Sequence, residues 1–145
     1  MFARTAFSLT RLSTTRPVTS RLFASKVQRI GTDDPRMSKV VVHNGVVYMS
    51  GQTDTTSPDI TGQTKAVLAK IDDLLAQAGT SKSHLLTSSI WLKDIQGDFK
   101  EMNATWNDWL DPENKPVRAT VQSPMARPQI LVEIQVSATV GNKDE

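Results

Sequence analysis

Alternation of apolar and polar side chains marks residues 129–139 as a β-strand. Its apolar face consists of Val132, Ile134, Val136 and Ala138, and its polar face of Glu133, Gln135, Ser137 and Thr139. Two β-branched runs, 39–42 and 46–50, flank Asn44-Gly45, the dipeptide most typical of a two-residue hairpin turn. Alternation predicts a short strand over residues 26–30, a buried strand is predicted over 85–92, and a further strand over 117–123.

A first helix is predicted over residues 63–78. Asp59 or Thr61 can cap its start, and Gly79 can end it. Its apolar residues recur at helical spacing and are Val67, Ile71, Leu74, Leu75 and Ala78.

A second helix is predicted over residues 98–110, with Asp98 as N-cap and Glu101 completing a capping box. Its apolar stripe consists of Phe99, Met102, Trp106, Trp109 and Leu110. The resulting order, β-ββ-α-β-α-ββ, predicts a two-layer α+β domain in which a mixed sheet carries two helices on one face.

The chain has 145 residues, of which 38% are hydrophobic and 22% charged, as expected of one globular domain. It contains no cysteine, which excludes disulfides, thiolate metal sites and a cysteine nucleophile. No apolar run approaches the roughly 20 residues of a membrane-spanning helix, so we expect no membrane partner.

The net charge of +2 divides unevenly along the chain. Residues 1–25 carry four arginines and no acidic residue, a composition typical of a transit peptide. We predict a mitochondrial transit peptide there, with a plastid as the alternative destination, and one folded domain over residues 26–145. That domain has 13 basic and 15 acidic side chains, a net charge of −2, and therefore no electrostatic basis for binding nucleic acid.

Familiar catalytic and cofactor motifs are missing from the sequence. It has no phosphate-binding glycine loop, no G-x-S-x-G and no histidine spacing suited to a metal. His43 and His84 are far apart in the sequence, and we expect each to be solvated or locally hydrogen-bonded. We therefore expect neither a metal nor an organic cofactor.

Two charged residues stand out by their positions on predicted strands. Arg118 alternates with Val117, Ala119 and Val121, which we expect to face the core. Glu133 is the only charged residue within the final strand. If the two strands are neighbours, Arg118 and Glu133 lie close together on one sheet face. Such a pair fits either an exposed ion pair worth about 0–1 kcal/mol or a binding site.

Asn103 is a polar residue in the arc of Phe99, Trp106 and Leu110 on the second helix. Its amide can satisfy a nearby backbone group or line a site. The spacing alone leaves both interpretations open.

Several short motifs occur in order along the body of the chain. They include Val46-Val47-Tyr48-Met49-Ser50-Gly51-Gln52, Gln63-Thr64, Ala78-Gly79, Asp98-Phe99-Lys100-Glu101-Met102-Asn103, Pro116-Val117-Arg118-Ala119 and Val132-Glu133-Ile134. Together they resemble the RidA/YjgF superfamily of reactive-intermediate (enamine/imine) deaminases, over about residues 27–140. The Trp106/Trp109 helix and the strand over 117–122 make the resemblance nearer to the YoaB-like branch than to RidA itself.

This resemblance implies a chorismate-mutase-like α+β fold, a homotrimer and clefts between subunits. It matches Arg118 to the family's substrate-binding arginine and Glu133 to its site glutamate. Asn103 matches a site-lining asparagine, and Ser50 and Gly51 match a cleft-lining Ser-Gly pair.

Two positions depart from the RidA pattern. Met37 precedes Ser38 where RidA has a tyrosine, and Thr120 stands where RidA often has a cysteine. Both belong to the implied substrate-binding set, and Thr120 could donate its hydroxyl to a water. We expect these departures to affect substrate preference more than the reaction.

The implied reaction is the hydrolysis of a 2-imino acid, formed from an enamine such as 2-aminoacrylate, to a 2-oxo acid and ammonia. Arg118 would bind the substrate carboxylate and Glu133 would position water, and no cofactor is needed. One alternative is a module of the same fold that binds a small carboxylic metabolite without turnover. Another is an RNA-directed translation inhibitor, which the acidic body disfavours.

Overall fold

A computed structural model of the protein describes residues 26–141, so the predicted transit peptide lies outside the described residues. Six strands form one sheet: β1 Gln28–Ile30, β2 Val40–His43, β3 Val46–Met49, β4 Leu85–Leu92, β5 Val117–Gln122 and β6 Val132–Thr139. Their order in the sheet is β1-β2-β3-β6-β4-β5. Neighbouring strands are antiparallel except β4 and β5, which are parallel. The predicted α+β architecture is confirmed.

Two long helices, α1 Ile60–Gln77 and α2 Ile95–Trp109, pack together on one face of the sheet. Helix α2 is the crossover that joins β4 to β5, as a parallel pair requires. The core between the layers contains, among others, Val67, Ile71, Leu75, Ile90, Met102, Ile134 and Val136. Trp109 Nε1 on α2 donates to Asp72 Oδ2 on α1 at 2.8 Å, which ties the two helices together.

The hairpin between β2 and β3 has the predicted turn. Asn44 and Gly45 both have positive φ, at 50° and 76°, the pattern of a type I′ turn. The turn sets the register, with His43 opposite Val46. The predicted hairpin is confirmed. It could be predicted from the sequence because the conformation of a two-residue turn depends on the two turn residues themselves.

Helix α1 starts three residues before its predicted first residue. The Asp59 carboxylate accepts from the backbone N–H of Gly62 at 2.8 Å. Of the two predicted N-caps, Asp59 and Thr61, the helix therefore uses Asp59. Gly79 follows the helix with φ 75°, a conformation that favours glycine.

The predicted start of α2 is wrong. Its N-cap is Asp94, whose Oδ1 accepts from the N–H groups of Gln96 and Gly97 at 3.1 and 3.2 Å, and Asp98 lies within the first turn. Burial raises the pKa of the Asp98 carboxyl, and the charges of Asp94 and Glu101 add to that effect. Phe99, predicted to belong to the apolar stripe, is 38% exposed.

The predicted core face of β5 is also wrong. Arg118 pairs with Ser88 and Thr120 pairs with Ile90, and Ser88 and Ile90 are both buried against the helices. Paired residues point to the same side of a sheet, so Arg118 and Thr120 face the helical layer. Val117, which is 71% exposed, alternates with them on the uncovered face. The residues sharing that face of β5 are Val117, Ala119 and Val121.

An ion pair between a buried carboxylate and a half-exposed lysine anchors the loop before α1. Asp54 is 8% exposed, and its Oδ2 lies 2.7 Å from Lys70 Nζ on α1. The same carboxylate accepts from the backbone N–H of Thr56 at 2.7 Å and from the Thr56 hydroxyl. The Lys70 ammonium, followed by the bonds from Thr56, lowers the pKa of Asp54 to about 2.

We expect Asp54→Asn to destabilise the protein by about 1–2 kcal/mol at neutral pH, because it removes a charge whose partners remain. A pKa lowered by folding stabilises the protein above the ordinary carboxyl pKa of 3.8, and this contribution disappears as pH falls toward about 2. Urea unfolding of both proteins across this range should therefore show the difference shrinking with acid. Asp108→Asn, at an exposed position on α2, is the control. A difference that stays constant with pH would contradict the assignment.

Candidate active site

Arg118 is the centre of the first candidate site, at the β5 edge of the sheet. Its Nη2 donates to Asn103 Oδ1 on α2 at 2.8 Å. The guanidinium carbon lies 5.5 Å from the centre of the Trp106 ring, within cation–π distance. Asn103 and Trp106 are three residues apart and therefore share a face of α2. Burial lowers the pKa of Arg118 from its ordinary value, yet a guanidinium stays charged in proteins.

Two hydroxyl groups on the same side of the sheet lack partners. Thr120 Oγ1 and Ser88 Oγ are buried, and neither has a hydrogen-bond partner within the described part of the chain. Ser88 lies opposite Arg118 on β4, and Thr120 lies two residues beyond Arg118 on β5. Buried polar groups are nearly always satisfied, so these two hydroxyls are unusual in having no partner beside Arg118.

Together these five residues, Ser88, Asn103, Trp106, Arg118 and Thr120, are called the arginine half-site below. The structure thus brings together three sequence-predicted residues, Asn103, Arg118 and Thr120. The sequence did not single out Ser88 as a site residue. Its one available signal was a polar residue on the buried face of an apolar strand.

Glu133 is the centre of a second candidate site, on the opposite face of the sheet. It pairs with Trp91 across β4, whereas its neighbour Ile134 faces the core. A cleft of about 520 Å³ lies beside it, within the range of about 300–1,000 Å³ typical of small-molecule sites. The cleft is lined by Arg36, Met37, Gly51, Thr53, Ala126, Arg127, Ile130 and Glu133.

Gly51 is held directly against the Glu133 side chain. The flanking Gln52 exchanges two backbone hydrogen bonds with Ile134, at 2.8 and 3.1 Å, which fixes the two segments side by side. A Cβ atom at position 51 would lie 1.9 Å from Glu133 Oε1. Only glycine therefore leaves the carboxylate where it is.

Ser50, also predicted from the sequence, directly precedes Gly51 in the chain but is not among the residues that line the cleft. The Ser50 hydroxyl accepts from Gln52 Nε2 at 3.0 Å, and its backbone N–H donates to the Lys39 carbonyl at 2.9 Å. Met37 lines the cleft and is half-exposed. We call Met37, Gly51 and Glu133 the glutamate half-site.

The expectation that Arg118 and Glu133 are neighbours within one chain is wrong. Strand β4 lies between β5 and β6, and the two side chains point to opposite faces of the sheet. No ion pair joins them among residues 26–141. One chain therefore presents two separate half-sites.

We expect Gly51→Ala to lower the activity proposed below by about a hundredfold while the fold is retained. The added methyl group must displace the Glu133 side chain, and a shift of about 1 Å in a positioned group can cost that factor. Because the obstacle is a movable side chain, the thermal unfolding temperature should change little. Steady-state kinetics and thermal unfolding of the same samples give both measurements. Full activity would show that the Glu133 position is unimportant.

The described residues contain no group of three or more His, Cys, Asp or Glu arranged to hold a metal. His84 Nδ1 lies 3.3 Å from Ser81 Oγ at the start of β4, in agreement with the local hydrogen bond expected for it. Within residues 26–141, no helix is both long enough and apolar enough to cross a membrane.

Comparison with known proteins shows the family to which this chain belongs. Residues 32–140 match the family model described as Endoribonuclease L-PSP. A RutC family protein of Haemophilus influenzae is 41% identical over 115 residues, covering 78% of this chain and 97% of the relative. The RutC family protein YoaB of Escherichia coli is 38% identical over 107 residues, covering 74% and 93%.

A solved YjgF family protein from Neisseria meningitidis superposes with a TM-score of 0.79 at 37% identity, covering 82% of this chain and 98% of that one. The fold is thus that of the YjgF class of α+β proteins. The chain belongs to the RidA/YjgF superfamily and is YoaB-like.

Proposed function

We propose that this protein hydrolyses reactive 2-imino acids to 2-oxo acids and ammonia. The observation that carries the proposal is the setting of Arg118. Asn103 accepts one of its N–H groups, and among the described residues no carboxylate lies within ion-pair distance of the guanidinium. A charged fork with free donors, beside two unsatisfied hydroxyls, suits a small carboxylate.

The proposed substrate binds through its carboxylate, which accepts two parallel hydrogen bonds from Arg118. Substrate binding would have to open the packing around the buried Thr120 and Ser88 hydroxyls before they could donate to the same carboxylate. Asn103 holds the guanidinium from its other side and so fixes the direction in which it presents its donors. The Trp106 ring lies against the guanidinium, and Arg118 as a whole remains exposed and open to a ligand.

Glu133 is the proposed group that positions the water. Water adds to the carbon of the protonated imine and gives one proton to the carboxylate, which leaves a neutral carbinolamine. The carboxylate returns that proton to the amino nitrogen, the C–N bond breaks, and the hydroxyl proton is released as the C=O bond forms. The products are the 2-oxo acid, ammonia and one proton. A positioned acid–base group of this kind contributes about 10²–10⁴ in rate.

The reaction requires the two half-sites to meet, so we further propose a homotrimer with sites between subunits. Arg118 of one copy would face Glu133 of the partner subunit. The uncovered sheet face supports this assembly, because it exposes Tyr48, Val117 and Val121, each about half or more accessible. Sedimentation velocity of the protein tests the trimer directly.

The test of the function is an assay with imino acids that an amino-acid oxidase generates in place. We expect the purified protein to accelerate the appearance of 2-oxo acid from 2-iminopropionate above the rate in buffer. Glu133→Gln should lower turnover more than binding. Binding of small carboxylates without acceleration of any imino acid would support the binding module instead.

The RNA-directed alternative is tested in parallel. The matching family model is described as an endoribonuclease, and a similar structure from Salmonella typhimurium as a putative translation initiation inhibitor. The net charge of −2 on the body opposes this function for the present chain. Tight, salt-dependent RNA binding by protein lacking residues 1–25 would favour it over the deaminase.

Import into mitochondria also remains a proposal, supported by the four arginines and the missing acidic residues of positions 1–25. Fusion of these residues to a fluorescent protein should direct it to mitochondria. Diffuse cytosolic fluorescence would contradict the proposal, and plastid fluorescence in a plant cell would select the alternative destination.

A further inference from the structure

We propose that Arg127 forms a second anion-binding subsite, which makes imino acids with an additional acidic group the preferred substrates. This inference rests on the proposed deaminase function and specifies its substrate class. It concerns the end of the substrate remote from the imine, since Arg118 is assigned to the carboxylate beside it.

Arg127 is the uncommitted cation of the cleft beside Glu133. The other arginine that lines the cleft, Arg36, is already paired: its Nε and Nη2 donate to the two carboxylate oxygens of Asp34 at 2.9 and 2.7 Å. For Arg127, no side-chain hydrogen bond or ion pair is formed with any residue of the described range. Its fork is therefore available to a ligand.

The backbone of the loop that carries Arg127 is held by hydrogen bonds, so the side chain starts from a fixed position at the cleft. The Ile130 N–H donates to the Arg127 carbonyl at 3.1 Å and closes a turn, and the Ile130 side chain is buried. Lys93 Nζ donates to the Pro128 carbonyl at 2.6 Å. The Gln63 side chain also binds this segment, donating to the Gln129 carbonyl at 2.8 Å and accepting from the Leu131 N–H at 2.9 Å.

The charges of the completed site favour a substrate with two carboxylates. The charges of Arg36 and Asp34 cancel in their ion pair. The remaining charged groups are Arg127, Glu133 and the Arg118 of a neighbouring copy, and their net charge is +1. A protonated imino acid with one carboxylate is neutral and leaves that positive charge unmatched. A second carboxylate makes the substrate an anion and neutralises the site.

The cleft also has room for the longer substrate. Its volume of about 520 Å³ is lined by Glu133, Gly51, Met37 and Arg127 among others. Met37, which stands where RidA has a tyrosine, is an unbranched side chain and adapts readily to the shape of a ligand. A linear chain of a few carbons can therefore place its terminal carboxylate toward Arg127 while the imine lies beside Glu133.

A matched pair of substrates tests this inference. The imino acids from glutamate and from norvaline have the same length and differ in a terminal carboxylate against a terminal methyl group. We expect kcat/KM to be about tenfold higher for the glutamate-derived imine, as one charge-assisted hydrogen bond can provide. Arg127→Gln should abolish that preference and leave the rate with the norvaline-derived imine within about twofold.

A binding experiment gives a second readout that does not depend on turnover. Calorimetric titration with 2-oxoglutarate and with 2-oxopentanoate, the corresponding products, should show the same preference and the same dependence on Arg127. Lys65→Gln, which removes one positive charge from an exposed position on α1, is the matched control and should keep the preference.

The outcomes separate this inference from the proposed function. Hydrolysis of both imines at equal rates, or a preference that survives Arg127→Gln, would overturn the second subsite and leave the deaminase intact. Hydrolysis of neither imine would overturn the deaminase. Loss of both activities in Arg127→Gln would contradict a role confined to the remote carboxylate.

Discussion

Arg118→Ala should lower kcat/KM for imino acid hydrolysis by about 10²–10⁴. The substrate carboxylate would lose two charge-assisted hydrogen bonds, each worth about 1.5–3 kcal/mol. The substitution also leaves Asn103 Oδ1 without its donor. Arg118→Lys should recover only a small part of the activity, because an ammonium keeps the charge but lacks the planar fork.

The measurement is the initial rate of 2-oxo acid formation at subsaturating imino acid, with circular dichroism to confirm the fold. Arg29→Ala is the matched control, since Arg29 is an exposed arginine on β1, at the sheet edge opposite β5. We expect this control to keep full activity. An Arg118→Ala protein with unchanged kcat/KM would remove the basis of the proposed function.

A mixture of two inactive variants should regain activity. In the proposed trimer each site takes Arg118 from one copy and Glu133 from the next, so Arg118→Ala and Glu133→Gln damage different contributors. When equal amounts of the two variants assemble at random, the copy that supplies position 118 has an intact arginine in about half of the sites. The neighbouring copy has an intact Glu133 in about half of the sites, so about one quarter of the sites contain both residues. Co-refolded mixtures should therefore reach about a quarter of wild-type activity, far above either variant alone.

This complementation test discriminates between a shared site and a site within one chain. A doubly substituted chain, Arg118→Ala with Glu133→Gln, refolded with either single variant is the control and should give no recovery. If the co-refolded single variants remain as inactive as each alone, the two residues do not act in a site shared between copies. The separation of the half-sites by β4 makes the recovery the expected outcome.

Local sequence signals were sufficient for most of the elements. The hairpin at Asn44-Gly45 and the alternation of β6 were predicted correctly, because each depends on residues adjacent in the chain. The predicted start of α2 was wrong, because Asp94 and Asp98 are both acceptable N-caps. Gly97, a poor helix former, made a start after it look more favourable. Which carboxylate caps the helix is decided by where β4 ends and the chain can turn.

Several of the candidate site residues could also be predicted from the sequence. Which of them lie together in space could not. Arg118, Asn103 and Glu133 are polar residues among apolar neighbours in the sequence, and the resemblance to the family matches them to site positions. Arg127 and Ser88 were missed. An arginine in a loop and a serine in a strand have no distinguishing pattern until their neighbours in space are known.

The sequence by itself determined the succession of strands and helices, the two-layer class and the residues able to carry chemistry. Only the tertiary structure decided that β4 lies between β5 and β6, and that Arg118 faces the helices while Val117 faces away. Alternation defines two faces of a strand without saying which one is covered. Which face is covered depends on how distant strands pair and on where the helices pack. The free energy of that pairing depends on the whole packed layer and not on any local run of residues.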